Sequence, residues 1–108
     1  MKQYHIRFDQ AALDDLSSIK TDLDATFNDP YSTNNVIHTI LTKIESLQYF
    51  PKRAAVRLTV SNTDLRFTKA GKYTVIYHVN DEKVVIYIYG IFHSRRDIVK
   101  ILKSRHQS

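Results

Sequence analysis

The segment from Val84 to Phe92 constrains the fold most strongly, because it is apolar at nearly every position. A strand with one face in water alternates apolar and polar residues, whereas a strand covered on both faces is apolar almost throughout. The segment therefore predicts a central strand that is buried on both sides. Shorter alternating segments predict further strands at residues 4–8, 56–60, 65–68 and 73–79.

Two helices are predicted between the first strand and the others, because apolar residues recur there at spacings of three and four. The first covers residues 10–27 and follows Asp9, a residue type that caps helix N-termini. The second begins at Asp29 and Pro30, since proline fits the first helical position, and it ends at residues 50–51. The short break between the two predicts an antiparallel helical hairpin.

A last helix is predicted after the central strand, where Ser94 and Asp97 are spaced as in a capping box. Arg95 and Arg96 then fall in its first turn. The resulting order, β-α-α-β-β-β-α, predicts an α+β fold: a mainly antiparallel sheet with the helical hairpin on one face, and a C-terminal helix. Residues 61–64 could be a turn between two strands or a bulge in one irregular strand pair, and the sequence leaves both open.

Composition limits the class of protein. With 108 residues, 43% of them hydrophobic, the chain can build one packed domain, residues 1–108. The absence of cysteine excludes disulfides, thiolate catalysis and thiolate zinc sites. No apolar run approaches the roughly 20 residues of a membrane helix, and the N-terminus lacks the apolar stretch of a signal peptide. We therefore expect a cytoplasmic protein.

The charge is distributed unevenly along the chain. Residues 1–51 contain four Lys and Arg against seven acidic residues, whereas residues 52–108 contain twelve against four. The two parts carry net charges of −3 and +8, which give the total of +5. So dense a basic half indicates a polyanionic target or an acidic partner; a solvated basic surface without a partner is the alternative.

Four segments match one known family in their order and spacing. They are residues 4–16 (YHIRFDQAALDDL), residues 47–51 (LQYFP), residues 65–77 (LRFTKAGKYTVIY) and residues 90–97 (GIFHSRRD). In these segments the chain resembles the ParE/RelE toxin superfamily of bacterial type II toxin–antitoxin systems. The resemblance implies a growth-inhibiting toxin whose partner is a cognate antitoxin encoded by a neighbouring gene.

The resemblance implies one of two molecular mechanisms. Members similar to RelE or YoeB cleave mRNA in the ribosomal A site, with arginines and lysines on the sheet and usually a tyrosine or histidine near the C-terminus. Members similar to ParE poison DNA gyrase and are not known as nucleases. The His-x-x-Arg-Asp ending at residues 93–97 is similar to ParE, and no tyrosine follows Tyr89. The basic sheet with a well-placed histidine favours mRNA cleavage, which we therefore predict, with gyrase poisoning as the alternative. The partner is then the ribosome with its mRNA, or gyrase. A further alternative is a non-catalytic nucleic-acid-binding module.

Three residues are the candidate catalytic groups of the nuclease reading. Arg66, on the strand side opposite Leu65 and Phe67, would hold a phosphate on the open face of the sheet, since a guanidinium matches phosphate oxygens. A surface arginine paired with a carboxylate is the alternative. His93 would transfer a proton, unless its ring only hydrogen-bonds the nearby backbone. Arg96 matches the arginine of the family's ending and would be a second phosphate clamp.

Six further cations are predicted to bind RNA or other phosphates: Lys52, Arg53, Arg57, Lys69, Lys72 and Arg95. Contacts of this kind determine affinity and salt dependence rather than chemistry. The histidines show no ligand spacing and carboxylates are scarce in the basic half, so neither a metal site nor another cofactor is predicted. A metal-free cleavage would use the ribose 2′-OH as the nucleophile.

Overall fold

A five-stranded sheet and three helices make up this computed structural model, which describes residues 2–106. In chain order the elements are β1 (His5–Phe8), α1 (Gln10–Phe27), α2 (Pro30–Ser46), β2 (Val56–Val60), β3 (Thr63–Ala70), β4 (Tyr73–Asn80), β5 (Val85–His93) and α3 (Ile98–His106). The predicted α+β class, the helical hairpin after the first strand and the C-terminal helix are confirmed. Within this part of the chain no helix is long and apolar enough to cross a membrane.

The sheet has the strand order β1-β5-β4-β3-β2, with β5 in the interior as predicted. Strand β1 pairs with β5 in parallel, and every other pair is antiparallel. Strands β2 and β3 are separate strands joined by a tight turn, so the chain has one strand more than the predicted order. Ser61 and Asn62 have φ values of 49° and 64° there, a pair of left-handed residues typical of a two-residue hairpin turn.

Helix α1 has both predicted ends and α2 the predicted start, but α2 ends at Ser46, where a turn follows, rather than at residues 50–51. The two residues that precede these helices differ in whether they cap. Asp29 accepts hydrogen bonds from the Tyr31 N–H at 3.1 Å and the Ser32 hydroxyl at 2.7 Å. These bonds, that from Ser32 first, hold the pKa of the Asp29 carboxyl below its usual range. Asp9 precedes α1 but makes no capping bond with its side chain, and partial burial raises its pKa.

Apolar residues on the two sides of the sheet form two separate cores. The side that packs against α1 and α2, here called the hairpin face, includes the buried Val75, Tyr77 and Ile88. The opposite side, here called the α3 face, includes Ile76 and the other buried residues against which Leu102 of α3 packs. Alternate residues of each strand therefore serve different cores.

Helix α3 begins three residues later than the capping-box pattern predicts. Residues 94–97 form a turn in which the Arg96 N–H bonds the His93 carbonyl at 3.0 Å. Asp97 performs the cap, because its Oδ1 accepts from the Lys100 N–H at 3.3 Å. Arg95 and Arg96 thus precede the helix, which corrects their predicted placement in its first turn.

An ion pair fastens α3 to α1 across the edge of the sheet. The two carboxylate oxygens of Asp15 accept from Arg105 at 2.7 and 3.2 Å, and Oδ2 also accepts from the Ile91 N–H at 3.0 Å. Arg105 also donates to the Tyr89 carbonyl at 3.2 Å. The pairing of β1 with β5 ends at Ile88, so Asp15 and Arg105 bond backbone groups of β5 just beyond the end of β1.

Candidate functional site

The candidate residues fall into two groups at opposite ends of the sheet. Arg66 lies opposite Tyr77 of β4, whereas His93 lies opposite Tyr73, four residues along the same strand. Four residues of strand correspond to about 13 Å. The structure therefore brings His93 and Arg96 together but does not bring Arg66 to them.

The first group consists of Lys52, Arg53 and Arg66, here called the loop-end cations because they surround the loop between α2 and β2. Arg66 donates from Nη1 to the Ala54 carbonyl at 2.6 Å and to the Lys52 carbonyl at 3.3 Å. It shares the hairpin face with Tyr77, so its predicted position on the open face of the sheet is wrong. The α2–β2 loop covers the guanidinium that was expected to meet a phosphate.

The other loop-end cations also have partners within the chain. Lys52 contacts Asp81 at 2.5 Å, and Arg53 donates to the Ser46 hydroxyl at 2.6 Å. The hydrogen bonds from Lys52, and then from Tyr4, hold the pKa of the Asp81 carboxyl below its usual range. The loop-end cations thus hold the α2–β2 loop against the sheet.

The second group lies around a cavity of about 720 Å³ between α1 and the ends of β4 and β5, here called the inner cleft. His93 lines it with Lys72, Arg95 and Arg96. The His93 ring meets the Tyr73 ring edge-on, with 5.4 Å between centroids. The inner cleft thus joins a histidine to three candidate phosphate-binding cations.

The hydrogen bonding of His93 limits what its ring can do. The Arg95 N–H donates to His93 Nδ1 at 3.2 Å, as in the backbone-bonding alternative considered for this residue. A nitrogen that accepts such a bond carries no proton, so in the neutral ring the proton is on Nε2. Nε2 then donates hydrogen bonds, and neither nitrogen is free to accept a proton from a substrate.

A second, shallower cleft of about 340 Å³ opens on the α3 face, and we call it the surface cleft. Three of the predicted cations line it, namely Arg57, Lys69 and Arg96. The Cζ atom of Arg57 is 5.5 Å from the centroid of the Phe67 ring, and that of Arg96 is 5.6 Å from the centroid of Phe92. Both guanidiniums therefore lie over aromatic faces.

Two hydroxyl groups that the sequence did not single out for binding complete this cleft. Thr74 Oγ1 and Ser94 Oγ are 2.8 Å apart and both residues line the cleft. Ser94 was interpreted only as a helix cap, and Thr74 only as one side of a strand. No local signal could have found the pair, because the two residues are 20 positions apart and meet through strand pairing.

Comparison with known proteins identifies relatives of the chain. The family described as the ParE toxin of the type II toxin–antitoxin system parDE matches residues 6–98. No curated protein sequence shows significant similarity to the chain.

Solved structures of two kinds of toxin have a similar fold. The chromosomal ParDE system from P. aeruginosa matches with a TM-score of 0.67 and 18% identity, covering 84% of this chain and 96% of that chain. The RelBE2 toxin–antitoxin complex from Mycobacterium tuberculosis gives 0.61 and 21%, covering 89% and 97%. The E. coli RelBE complex gives 0.60 and 22%, covering 86% and 99%. At these identities the likeness concerns the fold, which is shared by ParE and RelE toxins.

Proposed function

Because the chain belongs to the ParE toxin family of type II toxin–antitoxin systems, we propose that it inhibits growth by binding and poisoning DNA gyrase rather than by cleaving RNA. Gyrase poisoning is the mechanism that its ParE-like ending implies. It is a binding activity, so it requires a shaped surface but no proton transfer by the toxin.

The separation of the candidate catalytic residues carries this proposal. A phosphate clamp and a proton acceptor must reach the same phosphodiester to cleave it. Arg66 is bonded to loop carbonyls about 13 Å along the sheet from His93. Nδ1 of His93 already accepts a hydrogen bond from the Arg95 N–H. These contacts favour structural roles for two of the three residues.

Ribosome-dependent mRNA cleavage is the second candidate, and one observation favours it. The inner cleft places His93 beside Lys72, Arg95 and Arg96, which could hold a phosphate near the ring. In that mechanism a doubly protonated His93 would donate the Nε2 proton to the leaving oxygen and return to the neutral ring, which requires that Nδ1 first give up its bond from the Arg95 N–H. A group outside the chain would activate the 2′-OH. Both mechanisms operate in the cytoplasm, where we place the protein.

We also propose a cognate antitoxin as the partner that silences the toxin. The similar structures include RelB and ParD antitoxins in complex with their toxins. Twelve cations against four anions in residues 52–108 suit a partly acidic antitoxin segment that folds on binding. Co-expression with the neighbouring reading frame should give a complex that survives moderate salt; a toxic chain that binds no such product would contradict this pairing.

Two assays with the purified toxin separate the two mechanisms. The first incubates it with gyrase and supercoiled plasmid, where we expect loss of supercoiling activity and trapped gyrase–DNA cleavage complexes. The second adds it to a purified translation system and maps the mRNA by primer extension, where we expect no cleavage in the A site. Cleavage of the mRNA with unaffected gyrase would overturn the proposal.

His93→Ala provides the matched control in both assays. If the toxin acts by binding, the variant should trap gyrase within about threefold of the wild type once both are equally folded. If His93 transfers a proton, the variant should lose on the order of 10² to 10⁴ in cleavage rate. A chain that is harmless on expression and inactive in both assays would instead indicate a non-catalytic nucleic-acid-binding module.

A further inference from the structure

The surface cleft combines two features that a single anion site requires. Arg57, Lys69 and Arg96 supply positive charge from β2, β3 and the β5–α3 turn, and the hydroxyls of Thr74 and Ser94 supply neutral donors. These residues are distributed over 40 positions of sequence, yet they line one opening of about 340 Å³. Their convergence is produced by the pairing of three strands.

The aromatic rings orient the two guanidiniums. Phe67 and Phe92 both project from the α3 face: Arg57 lies over the Phe67 ring, and both Arg96 and Arg105 lie over the Phe92 ring. A guanidinium whose carbon lies over a ring face still has N–H groups at its edge for hydrogen bonds to a ligand. Two such edges and one ammonium group match the several oxygens of a phosphate better than a single point charge does.

The charge of the cleft is not neutralised within the described residues. No salt bridge in residues 2–106 involves Arg57, Lys69 or Arg96. The one carboxylate on the rim belongs to Asp97, which accepts the capping bond from the Lys100 N–H. This contrasts with the loop-end cations, each of which has a partner in the chain.

The hydroxyl pair can donate to a ligand. One hydroxyl of the pair donates its proton to the other, and the one that accepts keeps its own proton for a further bond. Thr74 is 5% exposed, so packing around its side chain fixes the position of its hydroxyl. A neutral donor beside three cations gives the cleft a contact that does not depend on net charge.

We infer that the surface cleft binds a phosphodiester of DNA, so that the toxin contacts the DNA held by its target as well as the target protein. This inference rests on the proposed action on gyrase, whose substrate is DNA. The cleft is only partly enclosed, so it can admit a phosphate that belongs to a longer chain. Arg57, Lys69 and Arg96 would contact phosphate oxygens, and the hydroxyl pair would donate to one of them.

The test measures binding of a short fluorescent DNA duplex to the full chain by anisotropy, at several salt concentrations and without gyrase. Arg57→Gln, Lys69→Gln and Arg96→Gln should each weaken binding roughly tenfold and lower the salt slope by about 1. Lys83→Gln is the matched control, because it removes one exposed charge from the β4–β5 turn, about 20 Å along β4 from Thr74. This control should change the affinity less than twofold.

A second pair of variants separates a built site from diffuse charge. Thr74→Val and Ser94→Ala keep the charge of the cleft, and each should weaken binding about fivefold without changing the salt slope. Thermal unfolding of every variant identifies those that fold, and only folded ones enter the comparison.

Three outcomes would overturn the inference: an equal loss in Lys83→Gln, wild-type affinity in the folded cleft variants, or binding of an RNA strand of the same sequence but not of DNA. Since no gyrase is present, failure of the gyrase proposal leaves these measurements unaffected.

Discussion

The loop-end cations and the cations of the surface cleft have the same chemistry and opposite surroundings. Arg66 lies under the α2–β2 loop and donates to two carbonyls, whereas Arg57 is exposed and lies over an aromatic ring. Lys52 contacts Asp81, whereas Lys69 makes no salt bridge within residues 2–106. A cation that is hydrogen-bonded or ion-paired within its own chain is part of the fold, and one without such a bond in the described residues is available to a ligand.

The ion pair of Asp15 and Arg105 extends this comparison to a third cation and gives the largest expected effect. Asp15→Ala should lower the free energy of unfolding by about 3 kcal/mol, because it leaves Arg105 and the Ile91 N–H without their carboxylate. The figure is at the low end for a buried pair, since the Arg105 side chain is 32% exposed. Denaturant unfolding measures the change. A loss below about 1 kcal/mol would show that solvent replaces the pair.

The second prediction compares Arg66→Ala with Arg57→Ala. Loss of two hydrogen bonds from a half-buried guanidinium should cost about 2 kcal/mol at Arg66. Loss of one exposed cation–π contact should cost about 0.5 kcal/mol at Arg57. Urea unfolding of both variants provides the test, and Arg66→Lys, which keeps the charge but not the fork, should recover less than half of the loss. Equal losses of unfolding free energy at Arg66 and Arg57 would show that the loop-end cations and the cations of the surface cleft do not differ in their contribution to the fold.

The third prediction concerns the loop that the loop-end cations hold. The Tyr77 hydroxyl donates to the Pro51 carbonyl at 2.6 Å in the interior. Tyr77→Phe should therefore cost about 1.5 kcal/mol in unfolding free energy, because the buried carbonyl loses its donor. Hydrogen exchange should also accelerate in residues 51–55 more than in β5. Uniform acceleration across the sheet would mean that the bond stabilises the whole domain rather than this loop.

The smallest effect is a pH dependence at the loop end. The pKa of Asp81 is lowered in the folded chain by the hydrogen bonds from Lys52 and Tyr4. Its contribution to stability is therefore present above the unfolded pKa of about 3.9 and is lost as the pH falls through the lower folded value. The difference in Tm between wild type and Asp81→Asn should shrink on acidification, and Glu82→Gln in the same turn should show no such trend. If the Tm difference between wild type and Asp81→Asn grows below pH 4 instead, the ionised Asp81 carboxyl does not stabilise the fold as stated here.

The elements of the fold could be predicted because their signals are local. The apolar segment ending at Phe92 identified the interior strand, and the Asp29–Pro30 pair fixed the start of α2 within one residue. Local patterns did not determine where α3 begins. Ser94 and Asp97 both fit the N-cap pattern, and the choice between them was made by the turn in which Arg96 bonds back to His93.

The candidate site could be predicted only as a set of charges. The sequence identified all the cations of the surface cleft, because the positions of Arg and Lys can be read directly from it. It did not distinguish Arg57 from Arg66, since alternation along a strand tells which residues share a face but not what covers that face. It also missed the hydroxyl pair, whose members acquire their role only by meeting.

The sequence by itself thus determined the family, the fold class and the excess of positive charge, because periodicity, capping residues and composition act over a few neighbouring positions. The tertiary structure alone decided which cations are bonded within the chain and which remain open. That decision depends on the register of β3 against β4 and on the path of the α2–β2 loop, which place the Ala54 carbonyl at Arg66 and leave Arg57 on Phe67. Such contacts arise between residues far apart in the chain, so no local pattern encodes them.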